Sequence, residues 1–132
     1  MSDYGISIEL DEDTTAARAR VEAALSEQGF GVLTEIDVAA TLKKKLGKDV
    51  PAQVILGACN PALADRALEA EASIGLLLPC NVVLRSIGEN RTVVEALDPA
   101  VMVTYTGNTA LEPIAIEARA KLTAALDSLI AS

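Results

Sequence analysis

The sequence predicts one domain, spanning residues 1–132, that combines α-helices with a β-sheet. Several segments have the length and the alternating or continuous apolar pattern of strands, and others carry apolar residues at helical spacing. The sequence Gly88-Glu89-Asn90 between two strand segments is typical of a hairpin turn. A chain of 132 residues is long enough to bury a core without metal or disulfide cross-links.

The first half of the chain alternates between strand and helix. Asp11 or Asp13 is expected to cap the first helix and Asp37 the second, while Gly29 and Gly47 suit the positions where these helices end. The predicted order is a strand over 4–10, a helix burying Ala17, Val21, Ala24 and Leu25, a strand over 31–36, and a short helix carrying Val38, Leu42 and Leu46.

The stretch from Gln53 to Asn81 contains both cysteines. Residues 54–58 read as a buried strand, and Asn60 with Pro61 as the start of a helix. Cys59 is therefore expected just before a helix N-terminus, where the helix dipole favours a thiolate. The expected inner face of that helix is Leu63, Ala64, Ala67, Leu68 and Ala70.

The second half is predicted to hold a hairpin and two further helices. The connector 74–78 is rich in leucine and is expected to be buried. The strands 82–86 and 92–96 follow, then a short helix through Val103. The last helix begins between Thr109 and Pro113, because Thr109 and Glu112 have capping-box spacing and Pro113 would also suit the first helical position. Its expected inner face is Ala115, Ala118, Leu122, Leu126 and Leu129.

Composition excludes several functional classes. A net charge of −8 and only three aromatic residues argue against nucleic-acid binding, which needs basic and stacking side chains. The absence of histidine excludes Ser-His-Asp and Cys-His nucleophile pairs within the chain. Residues 1–4 do not resemble a signal peptide, and no apolar stretch is long enough to span a membrane. We therefore expect a soluble cytoplasmic protein with mostly reduced cysteines.

Cys59 and Cys80 are the candidate functional residues. Their separation of 21 positions is neither a Cys-x-x-Cys nor a zinc-knuckle spacing. If the connector folds back, the thiols meet as a dithiol redox couple or as a two-thiolate site for Cu(I) or Zn. Glu35 is a candidate second ligand or proton acceptor, although a surface carboxylate is the favoured interpretation. Pattern alone also favours two separate, buried thiols.

Three ordered motifs resemble the domain-of-unknown-function family 302, in its two-cysteine branch. They are 29–37 (GFGVLTEID), 55–61 (ILGACNP) and 78–81 (LPCN), within a match from about Gly29 to Pro99. The resemblance implies an α+β fold of the TATA-binding-protein-like class, with a curved, mostly antiparallel sheet and helices packed on one face. It is compatible with a homodimer. It carries over no activity, cofactor or catalytic residue.

Two hypotheses follow for this protein. The first is a thiol site at Cys59 and Cys80, with Glu35, Asn60 and Asn81 nearby, that binds a soft metal or cycles between dithiol and disulfide. The second is a non-enzymatic homodimer that binds a small ligand or a protein, with both cysteines in the core. The sequence leaves the cofactor, the ligand and the question of enzymatic activity open.

Overall fold

The computed structural model describes residues 3–130 and contains one five-stranded sheet in the order β1-β5-β4-β3-β2, with every neighbouring pair antiparallel. Met1 and Ser2, part of the stretch expected to lack a signal peptide, lie outside the described residues. The strands are β1 (Gly5–Leu10), β2 (Gly31–Asp37), β3 (Gln53–Cys59), β4 (Cys80–Gly88) and β5 (Arg91–Leu97). The predicted α+β class is confirmed.

Within residues 3–130, five α-helices and two short 3₁₀ segments accompany the sheet. The helices are α1 (Thr14–Glu27), α2 (Val38–Leu46), α3 (Pro61–Ala70), α4 (Ala100–Thr106) and α5 (Glu112–Ile130), and the 3₁₀ segments are Ala72–Leu77 and Thr109–Leu111. No helix among the described residues combines the length and the apolar character needed to cross a bilayer.

Side-chain caps explain where three of the helices begin. Asp13, rather than Asp11, accepts a hydrogen bond from the Ala16 N–H at 2.8 Å at the start of α1. Asp37 and Asn60 cap α2 and α3 in the same way. Each cap satisfies a backbone donor that has no partner within its own helix, so these boundaries follow from local chemistry.

One face of the sheet forms the main core beneath α1 and α5. Alternate residues of neighbouring strands point to this inner face, because side chains on a strand alternate between its two sides. The inner-face residues of the three central strands include Leu56 and Ala58 in β3, Val82 and Leu84 in β4, and Val94 and Ala96 in β5. The predicted inner residues of α1 and α5 are all buried.

A second apolar cluster lies beside the main core and joins α3, α4 and α5. Its buried members are Leu63, Ala67, Ile74, Met102, Leu111, Ile114, Ala115 and Ala118. The described residues therefore form two adjacent cores, of which the first is built on the sheet.

Three local expectations are wrong. Leu76 is 88% exposed, although the connector was expected to be buried, because the 3₁₀ segment turns only Ile74 fully into the second cluster. Leu68 is 46% exposed, since the buried stripe of α3 is limited to Leu63 and Ala67. Asn108, not Thr109, supplies the side-chain cap before α5, through the Ala110 N–H.

Gly57 is a point of close packing on the outer face of the sheet. A Cβ atom added there would collide with the Oγ1 of Thr34 and would lie 2.9 Å from the Cγ of Pro79. Both neighbours are covalently close to the backbone and cannot swing away freely. The missing side chain at Gly57 is therefore a packing requirement at the point where β2, β3 and the residue before Cys80 meet.

We expect Gly57→Ala to lower the free energy of unfolding by about 1–3 kcal/mol, because the added methyl overpacks this contact. Gly31→Ala is the matched control, since Gly31 is also a strand glycine but has open space at its Cβ position. Urea unfolding of the two variants measures the difference, and equal stabilities would contradict the packing role of Gly57.

Candidate functional site

The register of β3 and β4 brings the two cysteines together. Ala58 lies directly opposite Cys80, and Cys59 follows Ala58 at the end of β3. The spacings of an antiparallel ladder put the Cα atoms of Cys59 and Cys80 roughly 6 Å apart. The thiols, 21 positions apart in the sequence, are thus neighbours in space beside the start of α3.

Both cysteines line one small apolar cavity between the main core and the second cluster. Its volume is about 30 Å³, about the space that one water molecule occupies in the liquid. The wall consists of Phe30, Ala58, Cys59, Asn60, Leu63, Ala64, Ala67, Leu78, Pro79, Cys80, Met102, Ile114 and Ala118. The wall therefore joins residues of the sheet-based core to residues of α3, α4 and α5.

No residue of this wall carries a formal charge when the thiols are protonated. Its one side-chain amide, that of Asn60, is engaged elsewhere. The Asn60 Nδ2 donates to the Gln28 carbonyl at 3.3 Å, and its Oδ1 accepts from the Leu63 N–H at 3.3 Å. Asn60 thus links the end of α1 to the start of α3. Among the side chains of the cavity wall, the sulfur atoms are the remaining polarizable atoms that can donate electrons to a metal ion.

Burial dominates the protonation behaviour of Cys80. Burial raises the pKa of the Cys80 thiol to about 11, with a smaller part of that increase coming from the neighbouring Cys59, because two thiolates would repel each other. Cys80 is therefore a neutral thiol at pH 7 in the absence of a bound cation. A cysteine that acts as a nucleophile at neutral pH would instead need a lowered pKa.

The thiol-site hypothesis required Glu35 to lie beside the cysteines, and it does not. It lies opposite Leu56, three residues along β3 from Cys59, or roughly 10 Å at strand spacing. Its carboxylate forms a two-pronged ion pair with Arg18, in which the Nη2–Oε2 distance is 2.6 Å. Glu35 contributes to the contact between α1 and β2 and does not line the cavity.

Asn81 does not line the cavity. It pairs with Gly57 on β3, so its side chain points to the outer face of the sheet while Cys80 points to the inner face. Of the five candidate residues, the structure brings together Cys59, Cys80 and Asn60, and Asn60 acts there as a helix cap. Within residues 3–130, no group of three or more His, Cys, Asp or Glu residues has the arrangement of a metal site.

Met102 is the cavity residue that the sequence-based reasoning missed. It lies on α4 and is only 5% exposed, and its position within a short apolar helix gives no sign of a site. A methionine at such a position is usually a core residue. The only available signal was its chemistry, since it is the one methionine outside the first residue of the chain.

The raised pKa of Cys80 predicts slow alkylation at neutral pH. In the Cys59→Ser variant, where Cys80 is the remaining thiol, we expect iodoacetamide to react much more slowly at pH 8 than with the same protein unfolded in urea. The rate should rise about tenfold per pH unit, because only the thiolate reacts and its fraction grows at that rate below the pKa. A rate that levels off below pH 9 would contradict the dominance of burial.

Comparisons with known proteins agree on one family. A crystal structure of an uncharacterized conserved DUF302 protein from Bacillus stearothermophilus is similar to this chain, with a TM-score of 0.87 and 30% sequence identity, over 96% of this chain and 98% of that one. A search of curated proteins found no match. The family profile described as domain of unknown function DUF302 matches residues 6–129, a longer range than the resemblance from about Gly29 to Pro99. The chain belongs to the DUF302 family.

Proposed function

We propose that Cys59 and Cys80 form a two-thiolate site that binds the soft cation Cu(I). The observation that carries the proposal is the shared cavity, whose wall contains both cysteines and no charged side chain. Thiolates select soft metals such as Cu(I). A structural zinc site normally has four protein ligands, and the described residues supply no cluster of that kind.

The strand register supports metal binding over a direct disulfide. A disulfide needs Cβ atoms about 3.8 Å apart and sulfurs about 2.05 Å apart. Cys59 is one position beyond the residue that pairs with Cys80, so the two cysteines are offset along the strands by about 3.3 Å rather than directly opposite each other. A bridging metal tolerates a wider gap, because each sulfur bonds to the metal and not to the other sulfur.

Charge balance in this step is simple. Each thiol loses its proton to solvent as its bond to Cu(I) forms, and no electron is transferred. The product carries one net negative charge, which is costly in an apolar cavity unless it is compensated. The N-terminus of α3 begins at Pro61, two residues after Cys59, and its partial positive charge favours that anion. Reduced thiols require a reducing environment, so a cytoplasmic location belongs to this proposal.

Anaerobic titration with Cu(I), in competition with bicinchoninate, tests the site. We expect one Cu(I) per chain, and a loss of roughly a hundredfold or more in affinity for Cys59→Ser or Cys80→Ser, because a hydroxyl is a poor ligand for a soft cation. Glu35→Gln is the control and should bind as the unchanged protein does, since Glu35 pairs with Arg18.

Two outcomes would overturn this proposal, and each would favour a different alternative. If Cu(I) does not bind but diamide consumes both thiols within single chains, the pair is a dithiol–disulfide couple. If Cu(I) does not bind and neither thiol reacts in the folded protein, both cysteines are core residues, and the hypothesis of a non-enzymatic binding module is favoured instead.

We also propose that the chain forms a homodimer through the outer face of its sheet. Apolar residues occupy this face on four strands: Ile36, Ile55, Val83, Ile87, Val93 and Leu97. Ile36 is 51% exposed and Ile87 38%, whereas Val93 is only 9% exposed. Exposed apolar surface of this kind is typical of protein interfaces.

The charges of the outer face support pairing with a second copy. Its four charged residues form two cross-strand ion pairs, Arg85 with Glu95 at 3.0 Å and Arg91 with Glu9 at 2.7 Å. These charges cancel, whereas the whole chain carries −8. Two copies can therefore approach through this face with less repulsion than through the acidic remainder of the surface.

Val83→Lys tests the dimer with little damage to the sheet, because Val83 lies opposite Glu95 and the new cation has a partner there. Sedimentation velocity should give twice the mass of one chain for the unchanged protein and a monomer for the variant. Ile116→Lys, a similar change at an exposed position on α5, should remain dimeric. A monomeric unchanged protein would refute the proposal.

A further inference from the structure

Met102 lines the cavity from a different segment of the chain than the two cysteines. It lies on α4, which follows β5, whereas the cysteines end β3 and begin β4. Asp98 fixes the start of α4 by accepting from the Ala100 N–H at 2.9 Å, and it also pairs with Arg119 of α5 at 3.1 Å. The backbone that carries Met102 is thus anchored to α5, which forms another part of the cavity wall through Ile114 and Ala118.

We propose that the Met102 thioether is a third sulfur ligand for the cation held by Cys59 and Cys80. The inference rests on the proposed function and specifies its ligand set. Three sulfur atoms, from β3, β4 and α4, belong to residues that line the same cavity of about 30 Å³. The other wall residues are aliphatic or aromatic apart from Asn60, whose amide is held by its two hydrogen bonds.

The chemistry of a thioether suits this position. It is soft, as the thiolates are, and therefore favours Cu(I) over hard cations such as Mg²⁺ and Ca²⁺. It binds without losing a proton and adds no charge, so a third bond forms without increasing the net charge of −1 in an apolar cavity. A third thiolate or a carboxylate would add a second buried negative charge, which is much more costly.

The ordinary alternative is that Met102 only fills space in the second cluster. Met102→Leu separates the two roles, because it removes the sulfur while nearly conserving the side-chain volume, and such exchanges usually cost little stability. Ile114→Leu is the matched control, since it is also a volume-conserving change at a buried residue of the same wall. Thermal unfolding of each variant verifies that the fold is retained.

The measurements are Cu(I) affinity by bicinchoninate competition and copper K-edge X-ray absorption of the loaded protein. We expect Met102→Leu to weaken binding by roughly ten- to a hundredfold and to lower the sulfur coordination number from three to two. Ile114→Leu should change neither quantity. In protein labelled with [methyl-¹³C]methionine, the resonance that Met102→Leu eliminates should shift when Cu(I) is added.

The possible failures are distinguishable. If the unchanged protein binds no Cu(I), the proposed function itself fails. If it binds Cu(I) through the two thiolates, while Met102→Leu keeps the same affinity and sulfur count and the methyl resonance does not move, only the role of Met102 is wrong. Weakened binding in both Met102→Leu and Ile114→Leu, with an unchanged sulfur count, would also assign Met102 to packing.

Discussion

The antiparallel register of β3 and β4 is the constraint on which the rest of the structure depends. It pairs Leu56 with Val82 and Ala58 with Cys80, and thereby sets which side chains enter the main core. A slip of one residue would turn every side chain of one strand to the opposite face. Because that slip would expose Leu56, burial of the apolar face fixes the position of Cys80 as firmly as it fixes the core itself.

The cavity exists because small side chains meet where the two cores join. Four of its wall residues are alanines, Ala58, Ala64, Ala67 and Ala118, and they come from β3, α3 and α5. Protein interiors are normally packed with few voids of this size, and larger aliphatic residues at these positions would fill the space. On the other side of the sheet, Gly57 lets Thr34 and Pro79 pack closely, so the same region of β3 is dense on its outer face and open on its inner face.

Sequence-based reasoning succeeded where local chemistry decides the structure. The caps formed by Asp37 and Asn60 follow from capping preferences, and the inner stripes of α1 and α5 follow from helical periodicity. Both signals depend on residues a few positions apart. The exposure of Leu76 and the pairing of Glu35 with Arg18 depend on segments distant in the sequence. Met102 was missed for the same reason, since nothing near it in the chain indicates that α4 approaches the ends of β3 and β4.

The alternation of side chains on β4 separates the two proposed surfaces. Cys80 points to the inner face and the cavity, whereas Asn81, its immediate neighbour, points to the outer face. A partner covering the outer face would therefore contact Asn81 and Val83 while leaving α3, α4 and α5 in place around the thiols. Since the packing of those helices shapes the cavity wall, the proposed metal site would depend on the boundary between the two cores. The proposed dimer would depend on the apolar, charge-balanced outer face of the sheet.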